Sequence, residues 1–98
     1  MKLGRVVGTV VATQKSERLL GTKLLVVRDL RMDGKPTDSF SIAVDTVGAG
    51  VGETVLTVAG SSARMTKLTQ DCPVDATIVG IVDTVEADGK IVYRKSEG

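Results

Sequence analysis

Three glycines at alternate positions, Gly48, Gly50 and Gly52, lie between two apolar runs, and neither run has helical spacing. A glycine-rich loop that opens a helix turns its amides toward a phosphate; one between two strands supplies tightly shaped backbone instead. The residues after Gly52 separate the two cases. Glu53-Thr54-Val55-Leu56-Thr57-Val58 is rich in β-branched side chains and predicts a strand. The loop therefore shapes the fold before it performs any chemistry.

The same pattern runs through the chain. Leu3–Thr13 predicts a long strand with Val6, Gly8, Val10 and Ala12 on one face and Arg5, Val7, Thr9, Val11 and Thr13 on the other. Gly8 in mid-strand fits a sharp bend in a barrel. After a polar loop over Gln14–Gly21 come strands at Lys23–Leu30, Ser39–Asp45 and Glu53–Ala59. Asp33-Gly34 predicts a hairpin turn between the second and third strands. Ser61–Met65 fits one helical turn capped by Ser61 or Ser62, and Thr66–Pro73 a surface loop. A fifth strand is expected over Asp75–Val85, then a second Asp-Gly turn at Asp88-Gly89 and a closing hairpin strand over Lys90–Lys95. The expectation is an all-β fold: a small five-stranded OB-like barrel with a short helical turn and a C-terminal hairpin.

Size and composition favour association. Ninety-eight residues make one domain, 1–98. A chain of this size buries roughly 60–65% of the surface it exposes when unfolded. Aromatic residues are only 2% of the chain, Phe40 and Tyr93, so the core is built from small β-branched groups. Without large rings it buries less area per residue, and contacts in an oligomer become more valuable.

Most chemistry is excluded by what is missing. Gly48–Gly52 lacks dinucleotide-fingerprint spacing, no Gly-Lys-Ser/Thr follows it, and the next element is a strand. Histidine is absent, so neither Ser61, Ser62 nor Cys72 has the usual base to activate it. A lone cysteine excludes an intrachain disulfide and a thiolate zinc cluster within one chain. Asp71 and Asp75 offer too few oxygens for a metal. With 13 basic and 12 acidic residues the net charge is +1, which gathers neither nucleic acid nor an anionic membrane. Small barrels do bind single strands by stacking bases on aromatics, so a free-standing module for nucleic acid or a small ligand is the alternative reading. No apolar run approaches the length of a spanning helix, and the chain reads as soluble and cytosolic. No enzyme activity, cofactor or metal is expected.

Val44-Asp45-Thr46-Val47 recurs as Val82-Asp83-Thr84-Val85. Two readings stand: each aspartate satisfies local amides in a turn, or Asp45 and Asp83 both hold a loop at a subunit contact.

Read in order, five blocks carry a resemblance: Gly4–Lys15, Leu20–Val27, Ala43–Glu53 with Gly60–Arg64, Pro73–Ala76, and Val79–Asp83. The chain resembles the bacterial microcompartment vertex proteins, the small shell subunits of carboxysomes and of ethanolamine- or propanediol-type metabolosomes. Met32–Ser39 and Met65–Cys72 match no motif. The resemblance implies an OB-like barrel that assembles as a cyclic homopentamer and closes the fivefold vertices of a polyhedral shell in the cytoplasm. Hexameric shell proteins are the implied partners, with no nucleic acid and no membrane. It also marks Gly48, Ala49, Gly50, Gly52 and Glu53 as candidates at a subunit interface, where Gly48, Ala49 and Gly50 allow close backbone approach and a Cβ at the glycines would clash. Gly60, Ser61, Ser62 and Arg64 are expected either near the ring axis or interface, with Arg64 paired to a neighbour's carboxylate, or in a capped turn inside one subunit.

Overall fold

The β-branched runs become strands, and the Asp-Gly pairs become the turns that join them. A computed structural model describes residues 1–11, 23–59 and 76–95. Among these residues the strands are β1 (Lys2–Val10), β2 (Lys23–Leu30), β3 (Pro36–Asp45), β4 (Thr54–Ala59), β5 (Ala76–Ile81), β6 (Thr84–Ala87) and β7 (Lys90–Arg94). The expected helical turn over Ser61–Met65 lies outside the described residues.

The first five strands close a barrel in the order β1-β2-β3-β5-β4. β1 pairs antiparallel with β2 on one edge and with β4 on the other. The seam between β3 and β5 is short and parallel, with Val44 opposite Thr77 and Asp45 opposite Ile78. This is the five-stranded OB-like barrel that the sequence predicts.

Inside, Val6, Leu25, Val27, Ala43, Val55 and Ile78 form the core, with Ala76 and Ala49 filling the gaps between them. No aromatic ring enters this cluster: Phe40 is 57% exposed and Tyr93 lies against the outer wall. A second, smaller cluster forms on the outer wall. Leu3 faces away from Val6 on β1 and packs with Leu30 and Val82, and Leu56, Val85 and Tyr93 lie against them. Through Val85 and Tyr93 the β6–β7 hairpin seats its base on the barrel.

Several expected boundaries shift. The fifth strand is not continuous to Val85. It stops at Ile81, where Val82 donates its N–H to the Thr54 carbonyl at 2.8 Å and buries its side chain in the outer cluster. The chain then leaves the barrel, and Thr84 begins the hairpin. β3 begins at Pro36, earlier than Ser39, and β4 at Thr54, after Glu53. β1 ends at Val10, and Ala12 and Thr13 lie outside the described residues.

The faces of β1 also change. Val6 opposes Val27 and Gly8 opposes Val26, so Val7 is an extra residue, a β-bulge. Beyond it the alternation inverts: Val6 points into the core, while Gly8 and Val10 lie on the outer wall opposite Val26 and Leu24. Where a bend is expected at Gly8, the strand carries a bulge at Val7 beside it. The two turns follow their chemistry. Asp33 Oδ1 accepts the Lys35 N–H at 3.0 Å with Gly34 at φ +85°, and Asp88 and Gly89 take φ +53° and +74°, the two positive values of a tight hairpin turn.

The glycine that the barrel cannot replace is Gly4. A Cβ there would run into Val27 Cγ1 and press on the Arg28 carbonyl, whereas one on Gly8 would meet Val26 Cβ at an ordinary 3.9 Å. Gly4→Ala is expected to lower the unfolding free energy by about 1–3 kcal/mol. Gly8→Ala should change it by less than about 1 kcal/mol. Parallel urea titrations of the two variants check this.

Candidate functional site: the glycine loop and its clamp

The loop from Thr46 to Glu53 leaves the end of β3 and returns along β1 into β4. Its first turn is held by Asp45, whose Oδ1 accepts the N–H groups of Val47 at 3.0 Å and Gly48 at 3.1 Å. Thr46 donates its hydroxyl to the Ile78 carbonyl at 2.7 Å and ties the turn to β5. Lys23 donates to the Ala49 carbonyl at 2.8 Å and lies 4.0 Å from Asp45 Oδ2.

The far end is held by Glu53. Its Oε1 accepts the Gly50 N–H at 2.7 Å, and its Oε2 accepts the Lys95 ammonium at 3.1 Å. Gly52 N–H donates to the Val6 carbonyl at 2.8 Å, and Val6 N–H to the Glu53 carbonyl at 3.0 Å, which stitches the loop to β1. The Gly50 amide, then the hydrogen bond from Lys95, hold the Glu53 carboxyl below its ordinary 4.5. The same contact raises Lys95 above 10.5.

Glycine is required at Gly48 (φ +78°) and Gly52 (φ +94°) for backbone conformation, since nothing lies within 4 Å of a Cβ built on either. Within the chain, therefore, the expected clash is not the reason for these glycines. Gly50 has no positive φ, and a Cβ there would sit 3.5 Å from Glu53 Oε1. Ala49 is fully buried and its side chain belongs to the barrel core. Val51 is 63% exposed at the loop tip.

The two Asp-Thr echoes part company. The Asp45 side chain is 3% exposed and takes the local-amide role; that of Asp83 is 84% exposed, 4.0 Å from Lys95. The Asp83 backbone carbonyl, not its carboxylate, receives the Lys95 N–H. Gly60, Ser61, Ser62 and Arg64 lie outside the described residues. Lys95 is the clamp residue that sequence reasoning missed, because 42 positions separate it from Glu53. Lys23 had a signal: it opposes Asp45 in the β2–β3 register, which counting back along that hairpin recovers. Among the described residues no cluster of three or more potential metal ligands occurs. The site is a braced loop on a barrel end.

Residues 1–83 match the family model described as ethanolamine utilisation protein EutN/carboxysome. The chain belongs to the EutN/CcmL family of microcompartment shell vertex proteins. It is 44% identical to the carboxysome shell vertex protein CcmL of Synechocystis, over all of this chain and 99% of that one. The solved structure of Gloeobacter violaceus CcmL superposes with a TM-score of 0.93 at 42% identity, covering 98% of this chain and 99% of that one. GrpN of Rhodospirillum rubrum, solved as a pentameric microcompartment shell protein, gives a TM-score of 0.82 at 54% identity, covering 89% of this chain and 99% of that one. The family is one of structural shell proteins, located in the shell of carboxysomes and other bacterial microcompartments.

Two outcomes follow from the clamp. Asp45→Ala leaves two amides without their acceptor and should lower the unfolding free energy by about 1–3 kcal/mol, against less than about 0.5 kcal/mol for Asp83→Ala. Thermal unfolding of the pair checks it. For Glu53 the folded carboxyl ionises below 4.5, so as pH falls the unfolded chain takes up the proton first. Its contribution is complete above that value and is lost as pH drops through the lower folded one. Glu53→Gln should therefore be less stable than the parent at pH 7, and the gap should close in acid-unfolding profiles.

Proposed function

We propose that five copies of this chain form a ring that occupies a fivefold vertex of a microcompartment shell, with its rim against hexameric shell proteins. The observation that carries this reading is the pairing of a close structural match to a pentameric relative with a loop braced at both ends. A ring closes when one patch on each copy meets a different patch on the next, so small errors in surface shape accumulate around the circle. Asp45 and Glu53 remove that error from the loop by fixing its backbone at both ends.

In this reading the exposed tip around Gly50 and Val51 approaches the neighbouring copy, and Gly48 and Gly52 set the backbone that presents it. Asp83 sits beside the clamp at Lys95 and lies on the same side of the molecule. The ring also supplies what a core without aromatic rings lacks, additional buried apolar area.

Native mass spectrometry of the purified protein at micromolar concentration tests the ring. A dominant species of five chains is expected; a stable monomer overturns the reading. A Cβ on Gly50 meets Glu53 Oε1 at an ordinary 3.5 Å, so Gly50→Val should keep a cooperative melt while losing the five-chain species. A normal ring from that variant would remove the loop tip from the contact.

A further inference from the structure

One row of side chains on the barrel's outer wall has no explanation among the described residues. Arg5 on β1 is directly opposite Arg28 on β2, and Arg28 is opposite Phe40 on β3. Residues so opposed share a face, and like charges in that arrangement repel. The repulsion is poorly compensated. Arg28 is held by a hydrogen bond from its Nε to the Thr37 carbonyl at 2.5 Å, and its guanidinium lies 5.3 Å from the Phe40 ring centre. Its carboxylate partner, Asp38, is 3.6 Å away and fully exposed. Arg5 has less. Its Nε is buried without a hydrogen-bond partner among the described residues, and so is the hydroxyl of Thr54, which opposes it on β4. By contrast Lys2, Lys23 and Lys95 each have a carboxylate.

The next row on the same wall is apolar. Gly8 opposes Val26, and Val26 opposes Ile42. Ile42 is 56% exposed and Phe40 57%. Two arginines, an aromatic ring and an aliphatic row with a flat glycine at its edge have the composition of a buried contact.

The complementary surface is on the same chain. At the tip of the β6–β7 hairpin, Glu86 and Asp88 are exposed, and among the described residues no cation pairs with either. Glu86 opposes Ile91, 44% exposed, so a carboxylate and an apolar side chain share one face of the tip. Lys90 leaves the tip net acidic. We propose that the wall carrying Arg5, Arg28, Phe40 and Ile42 is covered by the acidic tip of the C-terminal hairpin of a second copy. The inference rests on the ring reading and supplies its two unlike patches. A wall that meets a tip is a heterologous contact, the kind that closes into a ring. Opposite charge fixes its direction, and the apolar rows provide the buried area.

Two variants kept at exposed positions test it: Ile42→Glu on the wall, and Glu86→Lys with Asp88→Lys on the tip. Each should keep a cooperative melt and the parent's strand content by circular dichroism, and each should run as a monomer in native mass spectrometry. Mixed in equal amounts, the Ile42→Glu chain offers an intact tip and the Lys variant an intact wall. One good contact per pair gives a one-to-one dimer that cannot continue. Rings of five from either variant alone, or no dimer on mixing, overturn the assignment while leaving the parent ring standing. A parent that is itself monomeric sinks the ring instead. Salt-sensitive binding of a fluorescent oligothymidine to the parent, lost in Ile42→Glu, would give the wall to single-stranded nucleic acid and also overturn the proposal.

Discussion

The barrel depends on β1 pairing along both of its edges at once. Gly4 and Arg5 pair with both β2 and β4, and that double pairing joins the beginning of the chain to its middle. At Gly4 the neighbouring strand comes so near that Val27 occupies the space a side chain would need. Strands can pack this tightly because the interior holds valine, leucine, isoleucine and alanine and no ring. A small core and a narrow barrel are two aspects of one choice.

From that closure follows the position of the glycine loop. Since β1 bulges at Val7, the edge it gives to β4 stops near Arg5, and the carbonyl and amide of Val6 are left to bind the loop. Asp45 and Glu53 then complete a brace made of backbone amides and two acidic side chains, with Lys23 and Lys95 outside them. Ion pairs this exposed contribute little stability on their own. Their use is positional: they select one loop shape from the many that three glycines permit. For a shell tile, a fixed outline matters more than a reactive group.

Much of this was legible in the residues. β-Branched runs, two Asp-Gly turns and the loop's strand-like flanks led to the barrel, and β2 was read to the residue. Other features were hidden for physical reasons. The bulge at Val7 leaves no mark in an unbroken apolar run, so the inside and outside of β1 were assigned in one phase where there are two. The break at Val82-Asp83 was invisible because both sides of it are good strand residues; a tertiary bond from Val82 to Thr54 decides it. Gly4 resembled any other glycine, since its constraint comes from Val27 across the sheet. The identical Val-Asp-Thr-Val segments concealed opposite roles, one carboxylate enclosed by amides and the other in solvent. Burial, which sequence identity does not encode, separates them.

The hairpin's small cluster has a consequence for how the molecule comes apart. Val85 and Tyr93 rest on Leu3, Leu30 and Leu56, and none of these belongs to the barrel's interior set. The hairpin's two strands hydrogen-bond in a sheet of their own. Its amides can therefore open to hydrogen exchange by lifting one layer, at a lower free energy than the barrel strands require. Two nested cooperative units share the wall of β1. The inner one preserves the fold, and the outer one rests on it.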